Sequence, residues 1–253
     1  MKRIVVLLFL VSFSVKAQYS NPEVDAITIQ KNFTFWQNYQ TKKIMLSSDF
    51  VAFDENSKTI TKDSFLNQLT LGNHIPIRLK SNDSIIYYKL FKIKTTSDSS
   101  IRATIMQIAF DEYEHFKMEG NLFPKFNFTD MDGIIISNET MKGKLVVIKC
   151  WYIHCAACIK EFPDANFLVS KYKNRKDIFF LSLAEDSREQ LKLFLSKKPL
   201  LYSVVPNMKI YMNETLNLNA FPTHFIINKE GKIAKVLSNY ESLKAALELE
   251  SKN

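Results

Sequence analysis

Glycine is scarce in this sequence, with five in 253 residues, at positions 72, 120, 133, 143 and 231. They never cluster, which excludes a glycine-rich loop cradling phosphate on backbone N–H groups. Cysteine is scarcer still. Cys150, Cys155 and Cys158 are the only three, and they crowd into nine residues. Such a set cannot staple a chain of this length, so it indicates a local site and not a disulfide framework. Histidines number four, and no His-Glu-x-x-His pattern occurs. Structural zinc takes four ligands, where only Cys155, Cys158, His154 and His224 stand as candidates. Haem attachment needs histidine directly after the second cysteine, and Ile159 is there. No apolar run reaches the roughly 20 residues that span a bilayer. Repeats and low-complexity tracts are absent.

The longest apolar run, Ile4 to Val11, sits behind Met1-Lys2-Arg3 and ahead of Val15-Lys16-Ala17. A charged start, a short apolar core and a small residue at the cut point read as a leader over residues 1–17, with an exported chain beginning at Gln18. Losing Lys2, Arg3 and Lys16 leaves 31 basic against 26 acidic residues, so the net charge falls from +8 to +5. That balance is mildly basic. Its densest patch, Lys171, Lys173, Arg175 and Lys176, falls where a helix is expected to end, as helix dipoles favour. Nucleic acid is not expected as a partner.

Gly120, followed by Pro124, closes a helical-looking stretch from Asp111 to Met118 and marks a boundary. Residues 18–120 then form an α+β unit. Thr61 caps a helix to Leu69, and strands are expected over 75–80, 85–93 and 101–110, with a turn over 95–100. His74 and His115 have no carboxylate or cysteine company in sequence and read as ordinary histidines. In residues 121–253 the expected elements are a hairpin around Asp132-Gly133, a buried strand from Leu145 to Trp151 and a helix from about Cys155 to Tyr172 kinked at Pro163. A strand over 178–183 and a helix over 187–195 with a Ser187/Gln190 capping box follow. A hairpin over 223–237 and an amphipathic helix over 240–250 close the chain. That order gives a central mixed sheet flanked by helices.

Cys155-Ala156-Ala157-Cys158 falls between a buried strand and the start of a helix. Two intervening residues in a first helical turn let the sulfurs meet, and backbone N–H groups there favour a thiolate, the nucleophile of disulfide exchange. Cys155, the more accessible of the two, would attack and Cys158 would resolve. This stretch resembles the redox centre of the thioredoxin-like superfamily, and especially its TlpA-like exported members. Lys142-Gly143-Lys144, Trp151 and Glu161-Phe162-Pro163 carry the likeness, as does Phe221-Pro222-Thr223 with the hairpin after it. The resemblance spans roughly residues 121–253. It implies a thioredoxin-like fold, a thiol–disulfide oxidoreductase with no cofactor beyond the Cys155–Cys158 pair, a cis Pro222 against the disulfide, and Phe221 pairing through its backbone with an extended substrate. It further implies a membrane-embedded thiol donor and exported client proteins with disulfides, apocytochrome c among them.

The sequence departs from that family at several positions. Lys149 stands where an acid or asparagine is usual. It either reaches toward the cysteines and biases their ionisation or snorkels to solvent. His154 replaces a common tryptophan, and is either a pH-sensitive thiolate stabiliser or an inert surface group. Glu161 reads as a solvated helix face or as a proton relay. Cys150 reads as a small core hydrophobe. Tyr152 occupies the position where a peroxidase of this superfamily carries threonine. Two other readings stay open: a copper-handling relative that adds His224 as a ligand, and a client-binding module whose cysteines are secondary.

Overall fold

The structure is a computed structural model that describes residues 21–252. The leader expected over residues 1–17 lies outside the described residues. Among those described, no helix is long and apolar enough to cross a membrane.

In the first half, α1 (Ala26–Ile29) and α2 (Phe33–Lys43) precede β1 (Val51–Phe53) and β2 (Thr59–Ile60). Next come α3 (Lys62–Thr70), β3 (His74–Arg78), β4 (Tyr87–Lys92) and α4 (Ser99–Met118). The strands pair in the order β2-β1-β4-β3, with β1 and β4 parallel and the other pairs antiparallel. Trp36, Phe65, Leu66, Leu69, Ile75, Tyr88 and Ile105 fill the core beneath the sheet. Burying side chains of this size contributes about 1.5–3 kcal/mol each.

The strand expected over 101–110 is instead the middle of α4. Its β-branched residues suggested a strand, but the period decides. Ile101, Ile105, Ala109, Glu112 and His115 are the buried positions, spaced as one face of a helix. Asp98, inside the expected turn, is the N-cap, and its carboxylate accepts from the Ser100 N–H. The Thr61 cap of α3 is present, accepting from the Ser64 N–H.

In the second half, β5 (Asn127–Thr129) and β6 (Ile135–Ser137) form a hairpin, followed by the short α5 (Asn138–Met141). The main elements are β7 (Leu145–Trp151), α6 (Ala156–Lys160), α7 (Phe162–Lys171), β8 (Ile178–Ala184), α8 (Arg188–Leu195), β9 (Ser203–Val205), β10 (Thr223–Ile227), β11 (Ile233–Leu237) and α9 (Tyr240–Glu250). The sheet order is β11-β10-β7-β8-β9. The strands β7, β8 and β9 run parallel, and β10 is antiparallel to both its neighbours. Every residue of β7 is buried, as a central strand covered on both faces requires.

One face of this sheet packs Val147, Trp151 and Ile226 against Phe162, Leu168, Leu191, Leu243 and Leu247 of the helices. The other packs Val146, Ile148 and Phe225 against Phe128, Ile136, Met208 and Met212. The Ser187/Gln190 capping box is present at α8. The three-residue edge strand β9 and a π-helical turn over Tyr211–Thr215 were not foreseen, being too short to show a period.

Candidate active site

The chain leaves β7 at Trp151 and enters α6 at Cys155. Between them, the Cys155 N–H donates to the Tyr152 carbonyl at 3.1 Å and the Ile153 N–H donates to the Asp186 carboxylate at 2.7 Å. Those bonds fix the loop. Cys155 is the N-cap of α6 and is joined to Cys158 in a disulfide with Cα atoms 5.2 Å apart. The Cys158 N–H donates to Cys155 Sγ at 3.2 Å, a bond that grows stronger when that sulfur carries charge. Both cysteines are buried, Cys155 at 5% exposure and Cys158 at 0%. Trp151 lies beneath them, edge-on to Phe162, with its indole N–H donating to Ser182 Oγ. The Phe221–Pro222 peptide is cis. Phe221 packs edge-to-face on Tyr152 with ring centroids 5.6 Å apart, which brings the proline loop to the loop that carries the cysteines. Thr223 is fully buried and donates through its hydroxyl to the Ala220 carbonyl.

Behind the disulfide lies a buried ionic cluster. Lys149 on β7 is directly opposite His224 on β10 in the sheet register. Both side chains are on the helix-covered face, because strand residues alternate and Trp151 and Ile226 are there. Lys149 is 0% exposed, and its Nζ donates to Glu161 Oε2 at 2.5 Å. The same oxygen lies 3.1 Å from His224 Nε2, and Glu161 Oε1 accepts from the Tyr240 N–H at 2.9 Å. Glu161 occupies the break between α6 and α7. Pro163, in the first turn of α7, makes the expected kink a full interruption.

Burial pulls the Glu161 carboxyl up, but His224 and the Lys149 ammonium outweigh it and hold the group at about 2. Burial lowers Lys149, with Glu161 opposing. Burial and the charge of Lys149 lower His224, again against Glu161.

One of the two alternatives left open for each of Lys149 and Glu161 is thereby set aside. Lys149 does not snorkel to solvent, because a partner waits inside. Glu161 is not a solvated face, because three donors converge on its carboxylate.

Residues 120–236 match the AhpC/TSA family. The thiol-disulfide oxidoreductase ResA of one Bacillus cereus strain is 32% identical over 133 residues, covering 52% of this chain and 76% of that protein. ResA of a second Bacillus cereus strain is 33% identical over 147 residues, covering 57% of this chain and 83% of that one. The thioredoxin domain of a thiol-disulfide oxidoreductase from Bacteroides vulgatus superposes with a TM-score of 0.47 at 24% identity, over 52% of this chain and 96% of that domain. The chain belongs to the thioredoxin-like AhpC/TSA family. It is a thiol–disulfide oxidoreductase of thioredoxin-like fold.

In this oxidoreductase the remaining foreseen residues fall apart from the ionic cluster. His154 is exposed, on the rim of a groove of about 890 Å³ that runs from Ile153 past Lys160 to Lys198. Cys150 is fully buried on the opposite face of β7, and burial raises its thiol well above the ordinary range. It therefore stays a neutral hydrophobe, as read from sequence. Among the described residues, no group of three or more His, Cys, Asp and Glu is placed to hold a metal.

Sequence reasoning missed His224 as a partner of Glu161. Its signal was present: it stands two residues after Pro222 on an expected strand, one pleat from Ile226.

Proposed function

We propose that this oxidoreductase is exported and reduces disulfides of cell-envelope proteins. Cys155 attacks the client disulfide and Cys158 resolves the mixed disulfide. The observation that carries the reading is the Cys155–Cys158 disulfide capping α6 beside the Phe221–Pro222 loop. In that setting the N-terminal sulfur receives a backbone hydrogen bond, and the C-terminal one is sealed from solvent. An attacking thiolate benefits from the first, and a resolving group reached only within a complex fits the second. The leader-like start at residues 1–17 supports export. Phe221 supplies backbone for an extended client segment, flanked by Pro222 and Thr223. Trp151, Lys149, Glu161 and His154 tune the pair.

The electrons come from a membrane-embedded thiol donor and pass to exported proteins with disulfides, apocytochrome c being one client class. The disulfide is the only redox group required. The catalytic unit is residues 121–253, and an α+β unit precedes it.

The test is the reduction potential of the Cys155–Cys158 pair, read by equilibration in dithiol buffers with thiol trapping. A value near thioredoxin's, about −270 mV, supports a reductase. One near about −120 mV makes the protein an oxidant and overturns the direction.

A further inference from the structure

We infer that the end of the second sheet farthest from the disulfide is a docking surface for an anionic lipid bilayer, engaged through lysines of three loops, with Cys155 turned to the aqueous side. The inference goes beyond the proposed exchange reaction and holds whichever way electrons flow through the pair.

The sheet register fixes what meets at that end. Leu145 at the start of β7 is paired with Ile178 at the start of β8. Ile227 at the end of β10 is opposite Val146. The loops that precede β7 and β8, and the turn that joins β10 to β11, therefore lie side by side. The disulfide follows Trp151 at the other end of β7. That strand has seven residues, so about 20 Å separates the two ends.

Residues 138–144, 173–177 and 228–232 make up these loops. They carry Lys142, Lys144, Lys173, Arg175, Lys176, Lys229 and Lys232 against Glu139, Asp177 and Glu230. Lys125 lines the same pocket as Lys142, Lys144 and Lys229. That makes eight basic residues against three acidic ones, an excess of five. The described residues together carry 31 basic and 26 acidic side chains, the same excess. The rest of the molecule is thus neutral in sum, and its net charge sits at one end. A helix dipole does not account for this. It favours cations in the last turn of α7, whereas Lys125, Lys229 and Lys232 follow no helix.

The kind of cation points to the partner. Arginine, whose planar fork suits fixed acceptors and which protein interfaces favour over lysine, occurs there once. Arg175 is already engaged, donating to the Asp177 carboxylate and the Ser251 carbonyl. The other seven cations are lysines, compact charges on flexible stems that suit a fluid anionic surface. All of them but Lys144 are exposed. Leu122 lines the pocket shared by Lys125, Lys142 and Lys229, and it is 70% exposed. An apolar contact flanked by lysines is the combination that holds a protein at a layer of lipid headgroups. Each lysine near an anionic leaflet contributes about 1 kcal/mol, a factor of about five in binding.

The test is co-sedimentation of the oxidised chain from Gln18 onward with lipid vesicles at about 0.1 M salt. Vesicles of phosphatidylcholine mixed with phosphatidylglycerol should bring the protein down, more so as the anionic fraction rises. Vesicles of phosphatidylcholine alone should not. Salt at about 1 M, where the Debye length is about 3 Å, should release it. Replacing Lys142, Lys144, Lys229 and Lys232 together by glutamine should weaken binding by about 10²–10³-fold. Replacing Lys42, Lys58, Lys80 and Lys94 by glutamine gives the same net charge with these loops intact, and should leave binding within about twofold of wild type. Leu122→Trp should emit at shorter wavelength when anionic vesicles are added. Unchanged circular dichroism and unchanged reduction of a nitrobenzoate disulfide establish that each variant is folded.

No sedimentation with phosphatidylglycerol vesicles overturns the inference and leaves the lysine end to an acidic protein. Equal losses in the two fourfold variants overturn it as well, because net charge and not this surface would then be responsible. So does Leu122→Trp emission that anionic vesicles leave unchanged. A wild-type protein that fails to reduce the nitrobenzoate disulfide is a different result, which refutes the exchange reading and has no bearing on the vesicles.

Discussion

Replacing Glu161 by glutamine tests how much of the fold around the disulfide depends on one carboxylate. In the native protein that group is held at about 2 instead of its ordinary 4.5. Holding an acid that far down contributes about 3 kcal/mol at neutral pH. The sign follows from the depressed value. The contribution is fully present above 4.5, the unfolded value, and is lost as pH falls from there through about 2. The substitution also strands Lys149, which is 0% exposed. Removing one partner of a buried pair costs about 3–5 kcal/mol because the other charge is left without compensation. The expected loss for Glu161→Gln is therefore about 3–5 kcal/mol at neutral pH, shrinking steadily in acid. Replacing Lys149 and Glu161 together by methionine should recover more than half of it, since no charge is then buried. Guanidinium unfolding of the oxidised protein, followed by circular dichroism and tryptophan fluorescence at several pH values, reads both quantities. A loss below about 1 kcal/mol, or a loss of equal size in acid and at neutral pH, would refute the argument that ionic pairing stabilises this cluster.

Cys158→Ser should trap clients as mixed disulfides on Cys155, seen as reducible bands that vanish when Cys155 is also replaced; bands that persist without Cys155 would contradict its role as attacking thiol. Glu112 is buried in α4, and burial raises its carboxyl to about 7 against the opposing pull of Ser238 and Lys62. A raised acid disfavours the fold as pH rises, so stability should drop by about 3 kcal/mol between 4.5 and 7. Glu112→Gln should flatten that slope in pH-dependent unfolding, and parallel curves for the two proteins would count against it. Ser187→Ala removes the capping box of α8 and should cost about 1 kcal/mol in a chemical denaturation midpoint, with an unchanged midpoint as the contrary result.

The sequence by itself determined the redox pair and most of the second half of the chain. Cys-x-x-Cys, the buried run Leu145–Trp151, the Ser187/Gln190 box and the Phe221-Pro222-Thr223 segment are local patterns, and each specifies its element through spacing, capping or backbone restriction that neighbours in sequence supply. The misread stretch over 101–110 failed where two local signals competed. Its β-branched composition pointed to a strand, while the buried period of Ile101, Ile105 and Ala109 made it helical once a sheet was there to pack against. The parallel pairing of β1 with β4 lay beyond local reasoning, because no short-range pattern says which distant strand a three-residue segment will join.

The partner of Lys149 was likewise decided only by the tertiary structure. Register across β7 and β10 sets it opposite His224, and the break between α6 and α7 aims Glu161 at both. A lysine on a strand carries no mark of whether it will find water or a carboxylate. Two elements distant in the chain, meeting on one face of the sheet, turned a side chain that costs free energy to bury into one that is paired behind the disulfide.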